Sequence, residues 1–98
     1  MTTLTLNFTV SSCELNGDLT RDTVATIANK KFKSLFSQQS AELDLTHIVK
    51  VDSAGLAWLL SLVELAGKSA CKLNFTHSPQ GLLKLAKLSA VDSFLPID

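Results

Sequence analysis

The sequence predicts an α/β fold: a mixed β-sheet that opens with an antiparallel hairpin and continues in parallel strands, with helices packed mainly on one face. Three observations carry this. Leu4, Leu6, Phe8 and Val10 alternate with Thr3, Thr5, Asn7 and Thr9, the period of two that marks a strand with one dry face and one wet face. From Arg21 onward, segments of helical period alternate with short strand-like runs, the order that builds parallel strands joined by right-handed crossovers. The wet face of the first strand, finally, places the helices on the other side.

Taken in order, the first strand turns at Ser11-Ser12 into a second carrying Cys13 and Leu15, which Asn16-Gly17-Asp18 is expected to stop. A helix is expected from Arg21 to about Phe36, capped by Thr20 or Asp22, with Val24, Ile27, Ala28, Lys31 and Leu35 on one stripe. Ala41, Leu43 and Leu45 form a third strand, and Ile48, Val49 and Val51 lead the chain to Asp52. Ser53 to about Gly67 is the most apolar helix. At 100° per residue its Ser53, Ala57, Ser61, Glu64 and Lys68 gather on one narrow arc, and Glu64 with Lys68 makes a favourable i,i+4 pair. Trp58 and Leu65 lie at a margin of that arc. Cys71, Leu73 and Phe75 read as a strand, Ser78-Pro79 as cap and first helical residue, and Gln80 to Leu88 as the last helix. The tail from Asp92 to Asp98 carries Phe94, Leu95 and Ile97, which are expected to dock on the body.

Ninety-eight residues suit one domain spanning 1–98. With 46% hydrophobic residues and a mean hydropathy of +0.26, the chain buries enough apolar surface to offset its conformational entropy. Nine Lys plus Arg balance nine Asp plus Glu, so no long-range positive field draws nucleic acid or an anionic membrane. A neutral, Leu-rich chain is prone to associate. No secretory pattern precedes Cys13 and Cys71, which are expected as reduced thiols in a cytoplasmic protein. The longest apolar stretch, Leu56 to Ala66, includes Ser61 and Glu64 and falls short of the roughly 20 residues that span a bilayer.

Catalytic and metal chemistry find little support. The only histidines, His47 and His77, have no neighbouring groups that would complete a nucleophilic triad. Cys13, His47, Cys71 and His77 lack the spacing of a preorganised metal site. Gly17, Gly55, Gly67 and Gly81 are too isolated to form a phosphate-cradling loop, and the Lys30, Lys31, Lys33 group reads as a solvated helix face. No catalytic residue, metal or cofactor is expected. What remains is the junction Val51-Asp52-Ser53-Ala54-Gly55-Leu56, where small residues lead from a strand into the apolar helix and leave unpaired N–H groups and partial positive charge at its start. Taken singly these residues are explained by capping and close approach of helix to sheet. Together they also suit a switch, because a helix N-terminus accommodates a phosphate on the Ser53 hydroxyl.

The run Asp44-Leu45-Thr46-His47-Ile48-Val49-Lys50-Val51-Asp52-Ser53-Ala54-Gly55-Leu56, continued by Leu59-Leu60, resembles the signature of the STAS domain family, the family of anti-sigma factor antagonists. Leu15-Asn16-Gly17-Asp18-Leu19 resembles, with departures, that family's second-strand turn. The resemblance extends over nearly the whole chain and implies a STAS fold. Within the family, the short chain, the Leu-rich helix with Glu64-Leu65-Ala66, and the tail from Leu85-Ala86-Lys87-Leu88 to Phe94-Leu95-Pro96 are similar to members that serve as cytoplasmic subunits of phospholipid ABC transporters. Such a subunit performs no chemistry. It docks on the cytoplasmic ABC ATPase, within a complex that also holds a permease and a lipid-binding subunit, and is thereby peripheral to the inner membrane. The implied partner surface is Asp52, Ser53, Ala54 and Gly55, with the loop at Asp18. The wide apolar arc of the same helix adds Trp58 and Leu65, either as partner contacts, with Trp58 the expected anchor since large aromatics dominate interface energetics, or as margins covered by flanking helices. The family's other use implies an anti-sigma factor and a serine kinase as partners, with Ser53 as phosphorylation switch. Ala54, in place of a second hydroxyl residue, weakens that alternative.

Overall fold

The computed structural model describes residues 3–97. Strands β1 (Leu4–Phe8) and β2 (Ser12–Leu19) are followed by a short helix α1 (Arg21–Val24), then β3 (Ser40–Val51), α2 (Ser53–Lys68), β4 (Lys72–Thr76) and α3 (Gln80–Leu88). The sheet order is β1-β2-β3-β4. β1 pairs antiparallel with β2, and the β2–β3 and β3–β4 pairs are parallel, as the sequence predicts.

Alternation divides the sheet. Cys13, Leu15, Leu43, Leu45 and Phe75 are fully buried, packed with Leu59 and Leu62 of α2 and Leu82 and Ala86 of α3. The intervening Glu14, Glu42 and Lys72 remain at least partly exposed, so the helices cover one face.

Three departures from expectation have physical causes. β2 does not stop at Asn16 but runs on to Leu19 through irregularities in its pairing with β3. Gly17 permits this with a φ of +117°, where an added Cβ would lie 2.0 Å from the Thr3 carbonyl oxygen. Ile48 to Val51 belong to β3 itself, because a break at Thr46-His47 lets both Leu45 and Ile48 point inward.

The expected helix from Arg21 to Phe36 is instead α1 followed by 3₁₀ turns at Asn29–Phe32 and Leu35–Ser37. Its middle is rich in poor helix formers, and the Thr26 hydroxyl bonds back to the Thr23 carbonyl at 2.7 Å. The broken path turns Phe32, Leu35 and Phe36 into the core while Lys31 and Ala28 stay exposed, contrary to the single-stripe expectation. Pro79 rather than Ser78 occupies the cap position of α3, and the buried Ser78 hydroxyl has no hydrogen-bond partner among the described residues. Of the tail, Leu95 is buried and the Phe75 N–H donates to the Pro96 carbonyl at 2.7 Å. Phe94, expected to dock, is 66% exposed.

Candidate functional site

The junction of β3 and α2 is organised by one carboxylate. Asp52 is the N-cap of α2 in extended conformation, and its Oδ1 accepts the Gly55 N–H at 2.9 Å. Its Oδ2 accepts the Arg21 N–H at 3.0 Å, the first amide of α1. Its own N–H donates to the Leu19 carbonyl at 3.0 Å. The ends of β2 and β3 and the starts of two helices are thus tied at one residue. The Arg21 N–H, with that of Gly55, holds the Asp52 carboxyl below its ordinary pKa despite partial desolvation. Gly55 lets α2 approach so closely that a Cβ there would stand 1.9 Å from the Leu19 carbonyl oxygen.

On this fixed platform Ser53 is exposed at the first position of α2. The hydroxyl of Ser53 makes no protein hydrogen bond among the described residues, whereas Asp52 beside it is fully engaged. Ala54 is half-buried and Gly55 buried. Ala57, one turn beyond Ser53, is exposed, and the Glu64–Lys68 pair at 3.3 Å continues the solvated face. Of the two candidates Thr20 and Asp22, Thr20 stands at the N-cap of α1, where its N–H donates to Thr23 Oγ1 at 3.0 Å.

The residues singled out from the sequence do not all converge. Asp18 lies at the same end of the sheet as Asp52 and Ser53; it immediately precedes Leu19, and its carbonyl accepts the Thr23 hydroxyl at 2.7 Å. Leu65 is half-buried and lies twelve residues along α2 from Ser53, about 18 Å at the helical rise. Trp58, expected to anchor a partner, is 8% exposed. Its Nε1 donates to Asn29 Oδ1 at 3.1 Å, and its ring meets Phe32 edge-on at 5.7 Å. Asn29 also donates to Ser61 Oγ at 3.1 Å, and Ser61 in turn to the Trp58 carbonyl at 2.6 Å. The segment between α1 and β3 therefore closes the margin of α2 that the sequence left open, and the indole is a core side chain. In the sequence Asn29 is only a lone amide beside lysines, a signal that gains meaning once that segment packs against α2.

The remaining polar groups pair on another face. His47 Nε2 lies 3.9 Å from Glu14 and His77 Nδ1 lies 3.5 Å from Asp44, all on or beside the sheet's uncovered face. The Thr46 hydroxyl and N–H lower the Asp44 pKa. Burial raises the pKa of both thiols, Cys13 to about 12, which favours their protonated form. Among the described residues no group of three or more His, Cys, Asp or Glu side chains is placed to hold a metal, and no helix is long and apolar enough to cross a membrane. A depression lined by Ser11, Ser40, Glu42 and Lys72 lies at the opposite end of β3 from Ser53.

A family model described as "Mlab, STAS domain" matches residues 3–96. Among solved structures, the unphosphorylated form of the anti-sigma factor antagonist SpoIIAA superposes with a TM-score of 0.68 over 97% of this chain and 87% of its own, at 15% identity. That likeness is one of fold. No curated protein matches.

Proposed function

The chain belongs to the MlaB-type STAS domain family, and from that premise we propose that it is a non-enzymatic regulatory and assembly subunit of an ABC transporter for phospholipid trafficking between membranes, docking on the cytoplasmic ATPase through the start of α2. Family members of this kind bind and regulate rather than catalyse. The observation that carries the reading is the contrast at the junction: each Asp52 carboxylate oxygen is bonded to a backbone N–H of the chain itself, while Ser53 and Ala57 present a small, uncharged, exposed surface. Small side chains at a rigid helix end let a partner's backbone approach closely, and a neutral chain meets it by packing rather than by long-range attraction. With Trp58 buried, the reading rests on this small-residue face rather than on an aromatic anchor.

Co-purification tests it. Tagged protein expressed from its own operon should retain an ABC ATPase, and Ser53→Arg or Ala57→Arg, both at exposed positions, should release it while the chain stays folded. Absence of any ATPase from the wild-type preparation sinks the proposal.

A second reading is favoured by the same free hydroxyl: Ser53 as the phosphoacceptor of an anti-sigma factor antagonist switched by a serine kinase. Accumulation in intact-mass spectra of an adduct of about 80 Da that Ser53→Ala abolishes supports it; its persistent absence with the cognate kinase present counts against it.

A further inference from the structure

The two edges of the sheet are treated differently. Beyond β4, the tail lies alongside: Phe75 N–H donates to the Pro96 carbonyl and Phe75 bridges to Ile97. Beyond β1, no described strand or tail is paired. Edge strands are ordinarily guarded by charge, proline or a bulge. β1, Leu-Thr-Leu-Asn-Phe, has none of these: its register with β2 is unbroken, and Thr3 to Ser12 contain no charged residue and no proline.

The register fixes which backbone groups face outward. Thr9 N–H donates to the Ser12 carbonyl at 2.8 Å and the Thr3 carbonyl accepts Asp18 N–H at 2.9 Å, so the odd-numbered residues turn their polar groups toward β2. In an antiparallel ladder the alternate residues then turn theirs away. Leu4, Leu6 and Phe8 therefore carry N–H and C=O groups along the free edge. Their side chains lie on the helix-covered side, where the Phe8 ring meets Phe32 edge-on at 5.3 Å. Cover there is incomplete: Leu4 and Leu6 are half-buried and Phe8 is 43% exposed.

We propose that this edge is an interface between two copies of the chain, with β1 paired antiparallel to β1 of the partner about a two-fold axis at Leu6. The spacing is self-complementary. Centred on Leu6, the pairing sets Leu6 against its own copy and Leu4 against Phe8 of the other chain, in hydrogen-bonded pairs exchanging about six backbone bonds. All apolar partners fall on the helix side, extending the two cores into one layer, while Thr5 meets Asn7 on the uncovered side. No like charges confront each other across the axis, which any charged residue at a symmetric contact would entail. Only the outward-facing residues can pair with one another, and moving the axis to Thr5 or Asn7 would leave Phe8 or Leu4 without a β1 partner, so the longest ladder selects the register centred on Leu6. The inference is independent of the proposed role of Ser53.

Sedimentation of the wild-type chain over a concentration series tests it, together with Leu6→Pro. Because the Leu6 N–H points away from β2, proline removes an outward donor and leaves the β1–β2 bonds intact. The wild type should pass from monomer to dimer, and Leu6→Pro should need at least about tenfold higher concentration. If Leu6→Pro does not fold, Phe8→Lys, at a partly exposed position, takes its place with the same expectation. Leu6→Cys should oxidise to a covalent dimer, since hydrogen-bonded pairs hold Cα atoms about 5.5 Å apart, within disulfide range. Thr9→Cys, far from its own copy in this register, should not. A wild type that stays monomeric up to about 1 mM, where the association free energy would be only about −4 kcal/mol, overturns the proposal, including the case in which the edge takes a strand of another protein instead. So does a folded edge variant that dimerises like the wild type, or a Leu6→Cys chain that cross-links no more than Thr9→Cys.

Discussion

The Asp52 carboxylate accepts the backbone N–H of Arg21 at 3.0 Å across 31 residues of chain, so the cap of α2 also holds the first amide of α1. A lone cap residue changed to alanine costs about 1 kcal/mol; here the same side chain satisfies orphan amides of two helices. Asp52→Ala should therefore destabilise by about 2 kcal/mol, the upper end for a cap, in urea unfolding followed by circular dichroism. Asp52→Asn, which keeps an acceptor for one of the two amides, should cost less. Loss of partner binding in Asp52→Ala would then reflect a loosened platform, distinct from Ser53→Ala, expected to alter stability by less than about 0.5 kcal/mol.

The same geometry sets a pH dependence. Asp52 has its pKa lowered, first by the Arg21 N–H, and Asp44 has its own lowered by the Thr46 hydroxyl and N–H. For a depressed carboxyl the stabilisation is fully present above its unfolded value, near 3.9, and is lost as pH falls through the lower folded value. Melting temperatures should hold steady from pH 7 to about 5 with respect to these groups and fall below about pH 4. The gap between wild type and Asp52→Asn should narrow on acidification. A gap that widens toward pH 3 would remove Asp52 from this account.

The β-sheet, α2 and α3 are legible in the sequence because their apolar spacing alone matches a strand or helix period. So is the importance of Asp52-Ser53, since small and capping residues interrupt two strongly apolar segments there. The stretch from Ala25 to Ser37 is not legible in the same way. Val24, Ile27 and Leu35 approximate a helical stripe, yet that path is overruled by contacts remote in sequence: Asn29 with Trp58 and Ser61, and Phe32 with Phe8 and Trp58. The burial of Trp58 is hidden for the same reason, because the side of α2 it occupies is open or closed according to a segment whose course local pattern does not specify. The double use of Asp52 is equally hidden, for nothing in Thr20-Arg21 says which distant acceptor takes the Arg21 amide.

With Trp58 in the core, its truncation should act through stability. Trp58→Ala should cost about 3–5 kcal/mol, the range for removing a large buried aromatic. Asn29→Ala, which leaves the indole N–H without its acceptor, should cost about 1–2 kcal/mol. Because the two side chains share one bond, the double variant should lose less than the sum. Urea unfolding followed by circular dichroism measures all three. A Trp58→Ala chain of wild-type stability that has lost only its partner would restore the indole as a contact residue.

Two glycines of α2 should respond in opposite directions to the same substitution. Within a helix, alanine is ordinarily favoured over glycine by roughly 0.5–1 kcal/mol through backbone entropy. At Gly67 nothing lies within 4 Å of an added Cβ, so Gly67→Ala should gain that amount. At Gly55 the added Cβ would stand 1.9 Å from the Leu19 carbonyl oxygen and 2.5 Å from its carbon, backbone atoms fixed by the β2–β3 register and by the Asp52 N–H. Relief requires α2 to lift from the sheet end, a strain of the size of core overpacking, about 1–3 kcal/mol, which exceeds the entropic gain. Gly55→Ala should therefore lower the melting temperature while Gly67→Ala raises it. Because the lift begins at the helix start, the Gly55 variant should also expose the Arg21 and Gly55 amides to faster hydrogen exchange, leaving those near Gly67 unchanged. Equal stabilisation by both substitutions would mean that α2 does not approach the sheet as closely as the Leu19 contact requires.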